Sequence, residues 1–215
     1  MAGGWGDYNC SPKKEGGQVY PFEQSEDFLK GIKLSVETSE GCCMAMTLRF
    51  FEMYIPGQSS DFLNWLKGEQ GRKVVSENQT RYINNSKSLL GGFGTFMKAV
   101  VRLVEDSELE KLGYDKVEKM IFPTTDFSRL ANASVKQYPH PRIFKPAFFA
   151  NASTGKSHAI GVILDSGASQ YYFFDPNEGV AEFTDLDGMK KWVARASTAC
   201  YNPAWSAYFM DAWKH

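Results

Sequence analysis

The sequence is poor in the residues that build metal sites and disulfide frameworks. Its 215 residues include four cysteines (Cys10, Cys42, Cys43 and Cys200) and three histidines (His140, His158 and His215). Cys42 and Cys43 are adjacent, so they make no CxxC pair, and no HExxH helix occurs; no metal site and no cofactor are expected. Four cysteines in a chain of this length are too sparse for a stapled scaffold. No window approaches the roughly 20 apolar residues of a membrane span. Positive charge is not in excess, with 24 Lys+Arg against 25 Asp+Glu. Nucleic acid is therefore not an expected partner, since counterion release needs a local surplus of Lys and Arg. The opening Met-Ala-Gly-Gly-Trp-Gly-Asp-Tyr lacks the basic start and apolar run of a secretory signal. Without one, the Asn-x-Ser/Thr triplets at Asn9, Asn78, Asn84, Asn132 and Asn151 read as unmodified polar loops.

What remains is the mixture of an ordinary globular protein, 43% hydrophobic and 23% charged. Residues 1–22, with Pro12-Lys13-Lys14-Glu15-Gly16-Gly17, read as a loose N-terminal arm, and residues 23–215 as a single domain. Helices are expected over 23–30, 41–55, 61–66 and 126–137. Another helical region is expected over 86–112, started or interrupted at Gly91-Gly92-Phe93-Gly94. The 41–55 helix is capped by Thr38 or Ser39 and stopped by Pro56-Gly57. After Pro139 the character changes. Segments 142–150, 158–164 and 170–175 are rich in β-branched and aromatic residues between turn residues. A helix over 186–195 and an aromatic strand near 205–213 complete an α+β pattern, helices first and strands second.

On the wheel of the 41–55 helix, Arg49 and Glu52 mark the polar side. Cys43 lies with Thr47, Phe50, Phe51 and Tyr54 on the aromatic face, and Cys42 falls nearer the charged side. Cys43 also sits in the first turn, where unpaired N–H groups and the helix dipole favour a thiolate. In the second half, a hairpin symmetric about Ser166-Gly167 would set His158 directly opposite Asp175, Ile160 opposite Phe173 and Val162 opposite Tyr171. A thiol, an imidazole and a carboxylate in that chain order supply a nucleophile, its base and the group that orients the base. Each has an ordinary alternative: buried small hydrophobes for the cysteines, a strand-end hydrogen bond for His158, a turn opener for Asp175.

Gly41-Cys42-Cys43-Met44-Ala45-Met46, with Phe50 after it, resembles the G-x-C-x-[AG]-[LM] helix start of the YopT/AvrPphB-type cysteine proteases. Ser157-His158-Ala159-Ile160 followed by Phe173-Phe174-Asp175-Pro176-Asn177-Glu178-Gly179 resembles that family's H-A…F-F-D-P-N-x-G block. The resemblance implies a papain-like fold, with the nucleophile on a central helix and the other two residues on an antiparallel sheet. Carried over, Cys43 is the nucleophile, His158 the general base and acid, and Asp175 the orienter. It further implies an effector or toxin protease, made in a bacterial cytoplasm and secreted into a host or target cell. The expected partners are a protein substrate there and, on the producer's side, a cognate inhibitor or secretion chaperone. Two features depart from the pattern. Phe50 stands at a tryptophan-like position, and residues 35–40 hold no Asn or Gln to donate to an oxyanion. The Cys43 N–H is the assigned donor, with Gln18, Gln24 and Asn9 as unranked side-chain candidates. The same triad also serves deamidation or acyl transfer, and a silent scaffold that only grips a partner is the reading from another class.

Overall fold

The computed structural model describes residues 4–7, 9–30, 42–90, 105–122, 127–150, 157–199 and 207–215. The expected cap at Thr38 or Ser39, Gly41, the Gly91–Gly94 turn, Cys200, Tyr201 and Trp205 lie outside them.

Seven antiparallel strands form one sheet: β1 (Gln18–Pro21), β2 (Asp115–Phe122), β3 (Arg142–Ala150), β4 (Ser157–Asp165), β5 (Gln170–Asp175), β6 (Gly179–Phe183) and β7 (Ala207–Lys214), in the order β1-β6-β5-β4-β3-β7-β2. Helices α1 (Cys43–Glu52), α2 (Ser59–Lys67) and α3 (Glu69–Leu90) precede a helical stretch, α4, over 105–111. Then come α5 (Phe127–Val135) and α6 (Leu186–Ala199). The central strands read as continuous apolar runs because both faces are covered. On one face α1, α2 and α3 pack over Phe148, Ile163, Tyr172 and Phe174. On the other, α5 and α6 pack over Ala147, Val162, Phe173 and Ala181. Helix α1 is buried on all sides except at Arg49 and Glu52, as a central helix must be. No helix among the described residues is long and apolar enough to cross a membrane.

Three expectations need correction. The strands are not confined to the part after Pro139, since both sheet edges come from before it: β1 flanks β6 and β2 flanks β7. The 18–21 stretch is short and ends in Pro21, a residue compatible with an edge strand because it has no N–H to donate. The N-terminal arm is not loose. Trp5 is buried between Phe173 and Trp192, Trp192 Nε1 donates to Cys10 O at 2.8 Å, and Arg195 donates to Ser11 O at 3.0 Å. Its Gly-Lys composition hid two anchors, Trp5 and Cys10; Cys10 is disulfide-bonded, while Cys42 and Cys43 are free. Helix α3 begins far earlier than 86, because its buried stripe is narrow (Val75, Asn78, Tyr82) and half-polar.

Helix α5 is held by an internal cation. Lys145 on β3 is fully buried, and its Nζ donates to Ala133 O (2.8 Å), Ser134 O (3.2 Å) and Lys136 O (2.5 Å) around the C-terminal end of the helix.

Candidate active site

Helix α1 brings Cys43 to the sheet because one strand residue has no side chain. A Cβ on Gly161 would lie 2.9 Å from Phe51 Cε1 and 3.2 Å from Thr47 Cγ2. Thr47 and Phe51 are one and two turns beyond Cys43 on the same helical stripe. Seating them directly on Gly161 lowers the start of α1 toward the early residues of β4. Phe50, the residue standing at the tryptophan-like position, fixes the helix from the other side, with its ring centroid 4.9 Å from Phe174 and 5.2 Å from Phe62.

At that point the sheet opens. The β4–β5 ladder runs from Asp165↔Gln170 to Gly161↔Phe174 and stops. Below it, His158 pairs only with Phe149 on β3, and Asp175 pairs with Gly179 on β6. The gap is bridged by side chains: His158 Nε2–H donates to Asp175 Oδ1 at 2.8 Å. The expected register was two residues off, since Val162 faces Phe173 rather than Tyr171. The reason is the turn. Asp165 Oδ1 accepts from Ala168 N–H at 2.9 Å and Ser169 takes a left-handed φ of 51°, so four residues, not two, close the hairpin. A slip of two preserves the face of every side chain, whereas a slip of one would have separated His158 from Asp175.

The turn after β5 holds the carboxylate still. Asp175 Oδ1 also accepts from Asn177 N–H at 2.9 Å, and Asp175 O accepts from Glu178 N–H at 3.0 Å. Gly179 has φ +113°, and a Cβ there would lie 2.0 Å from Tyr20 O. Only glycine lets the chain turn while β1 passes this close. The Phe-Phe-Asp-Pro-Asn-x-Gly run thus has a physical reading: two rings for opposite cores, a carboxylate, its backbone clamp, and a residue without a side chain.

Cys43, His158 and Asp175 are all nearly buried, at 8%, 8% and 3% exposure. Burial pushes the His158 imidazole down, but the Asp175 charge and hydrogen bond, with the hydrogen bond to Cys43, carry it up to about 10. Nε2 is committed to Asp175, which leaves Nδ1 as the ring nitrogen for the thiol. Cys42 is not on an exposed charged side. It is the capping residue of α1, fully buried, and burial followed by the neighbouring Cys43 pushes its thiol up to about 12. A thiol so placed stays protonated.

The first turn of α1 shows a further pattern that its sequence does not. Cys42 N–H donates to Gln24 Oε1 at 2.6 Å, Ala45 N–H to Gln79 Oε1 at 3.1 Å, and Met46 N–H to Cys42 O at 3.0 Å. Of the three amide candidates, only Gln24 is buried here. Gln18 is exposed on the edge strand, and Asn9 is exposed on the arm beside α6. No spacing rule ties Gln24 or Gln79 to Cys43: Gln24 is one of three unranked candidates as an oxyanion donor, and Gln79 is not among them.

Among the described residues, one acidic group has metal-binding proportions: Glu105, Asp106 and Asp211. It lies at the β2–β7 edge, where Lys116 Nζ bonds Asp106 and reaches Asp211 at 2.8 Å, supplying the positive charge itself.

The comparisons agree with this architecture. The crystal structure of the Pseudomonas avirulence protein AvrPphB superposes with a TM-score of 0.63 at 14% identity, covering 86% of this chain and 97% of that one. This is a papain-like cysteine protease fold. PatoxP, a cysteine protease-like domain of the Photorhabdus asymbiotica toxin PaTox, matches with a TM-score of 0.39 at 19% identity, covering 95% of this chain and 57% of that one. No curated protein sequence matches the chain. The sequence pattern of peptidase family C58, the Yersinia/Haemophilus virulence surface antigen, matches residues 16–199, and the chain belongs to that family.

Proposed function

We propose that the protein is an effector-type cysteine endopeptidase. In this reading Cys43 is the nucleophile, His158 the general base and acid, and Asp175 the residue that orients and charges His158. The observation that carries it is the His158–Asp175 bond of 2.8 Å across the open end of the β4–β5 ladder, with buried Cys43 at the start of α1 among the groups that raise the same imidazole.

The chemistry follows from that arrangement. Cys43 Sγ, its proton passing to His158, attacks the scissile carbonyl carbon. The negative charge passes to the carbonyl oxygen. The Cys43 N–H, at the positive end of α1, is aligned to receive it, while the amides of Cys42 and Ala45 are held by the two glutamines. His158 gives its proton to the leaving nitrogen as the C–N bond breaks, leaving a thioester on Cys43. His158 then takes a proton from water; the hydroxide attacks the thioester, and the acid product and the Cys43 thiol are released. Every proton is accounted for by one imidazole. The catalytic unit takes in the N-terminal arm, whose Trp5 N–H donates to Glu178 of the Asp175 turn at 2.7 Å. The substrate is a selected protein inside a target cell, reached by secretion.

The test is to map new amino termini in a lysate of target cells exposed to the wild type or to Cys43→Ala. One recurrent cleavage sequence that vanishes in Cys43→Ala supports the reading. Cleavage that survives the substitution sinks it. A mass gain of about one dalton on a glutamine, with no new terminus, would assign the thioester chemistry to deamidation instead.

A further inference from the structure

Gln24 does more than hold the Cys42 amide. It stands at the head of a short helical turn (Gln24–Leu29), is 7% exposed, and is anchored through its backbone, because Gln24 N–H donates to Pro176 O at 2.9 Å. Its side chain is engaged at both ends. Oε1 accepts the Cys42 N–H at 2.6 Å, and Nε2 donates to Asn177 Oδ1 at 3.4 Å. Asn177 N–H in turn donates to Asp175 Oδ1, the oxygen that accepts from His158.

These bonds run in a circuit from Cys42 through Gln24, Asn177 and Asp175 to His158, the imidazole that Cys43 helps to raise, and Cys43 joins Cys42 through a peptide bond. Cys43 starts a helix, whereas Asp175 ends a strand, and the β4–β5 ladder has already stopped before it reaches His158 and Asp175. Gln24 is the side chain that spans the two. We infer that Gln24 is a positioning residue, which holds the start of α1 at a fixed distance from the Asp175 turn and so keeps Cys43 against His158. An amide is required in the full circuit, since one group must accept from Cys42 and donate to Asn177. The inference rests on the proposed roles of Cys43 and His158.

The experiment is the rate of Cys43 alkylation by iodoacetamide against pH, with peptide mapping, in the full chain. Gln24→Met, which keeps the length and removes both bonds, should slow labelling at pH 6 about tenfold and raise the midpoint of the profile by about one unit. Gln24→Glu keeps the acceptor for Cys42 but loses the donor to Asn177, and it should also raise the midpoint; it decides the matter if Gln24→Met does not fold. Asn177→Ala should act in the same direction, and the double variant should be no slower than the slower single, because both break one circuit. A Gln24 with a merely structural part would lower the melting temperature and leave the midpoint where it is. That outcome, or losses that multiply in the double variant, overturns the inference. His158→Ala separates the two levels. If it slows labelling while Gln24→Met does not, only the positioning role fails; if it leaves labelling unchanged, the triad reading fails and takes this one with it.

Discussion

Asp175→Asn is the sharpest test of the electrostatics, because it removes a charge and little else. Asparagine keeps the shape and an oxygen that can accept from His158 Nε2. In the wild type the imidazole is raised from 6.5 to about 10 against the opposing effect of burial. The charge of Asp175 is the largest influence that raises it. The variant loses that charge and keeps an acceptor, so its imidazole should titrate lower by on the order of one to two units, tenfold to a hundredfold in proton affinity. At pH 9 the wild-type imidazole should be about 90% protonated and that of Asp175→Asn about half or less. With three histidines in the chain, the His158 resonance is assignable by His158→Gln, and NMR titration reads the fraction directly. An imidazole still mostly protonated at pH 9 in Asp175→Asn would refute the assignment of its charge to Asp175.

A local probe is needed because global stability hides this titration. His158 is raised on folding, so its stabilisation is fully present below about 6.5 and gone above about 10. Lys145 runs the other way. Burial lowers its ammonium from 10.5 to about 7, so the cost of burying that charge is fully present below about 7 and relieved by 10.5. The two slopes have opposite signs over nearly the same window. Melting temperature against pH should therefore be flatter in the wild type than in His158→Gln, whose stability should rise between pH 7 and 10.

Other substitutions test the packing that builds the site. Gly161→Ala places a methyl 2.9 Å from the Phe51 ring and should lift α1; Cys43 acylation by a thiol-directed peptide mimic should slow by about tenfold to a hundredfold with the fold retained, and an unchanged rate would show that Gly161 does not set the helix height. Gly179→Ala meets Tyr20 O at 2.0 Å in a left-handed conformation; a loss of more than about 3 kcal/mol in urea unfolding is expected, against which a near-neutral result would count decisively. Lys145→Met removes three buried charge-assisted hydrogen bonds at the end of α5 and should cost about 3 kcal/mol in the same assay.

Much of this site was legible because its signals are local. The helix of Cys43 shows itself through an apolar stripe and a Pro-Gly stop, and β4 and β5 through apolar runs around polar turn residues. The pairing of His158 with Asp175 survived a wrong register for a physical reason: the side-chain period of a strand is two, and so was the error. Expectations failed where the deciding contact is distant in sequence. Nothing near Gln18 announces that its strand will lie beside 179–182, and the polar face of α3 conceals a helix whose buried stripe is only three residues wide over 75–82.

The same distinction explains why the residues that brace the candidate site gave no ranked signal while the candidates Cys43, His158 and Asp175 did. A nucleophile, a base and a carboxylate have few chemical alternatives, so their identities restrict where they can be. Supporting groups only have to reach. Gln24 meets Cys42 from 18 residues away and Gln79 meets Ala45 from 34. Any amide at the end of a suitably placed element could serve, and the place is fixed by the sheet order rather than by spacing. Where β4 and β5 part, the backbone ladder no longer sets the distance between His158 and Asp175, and side chains must. A site built at the open end of a ladder gains room for a substrate, and it becomes dependent on hydrogen bonds that no local pattern encodes.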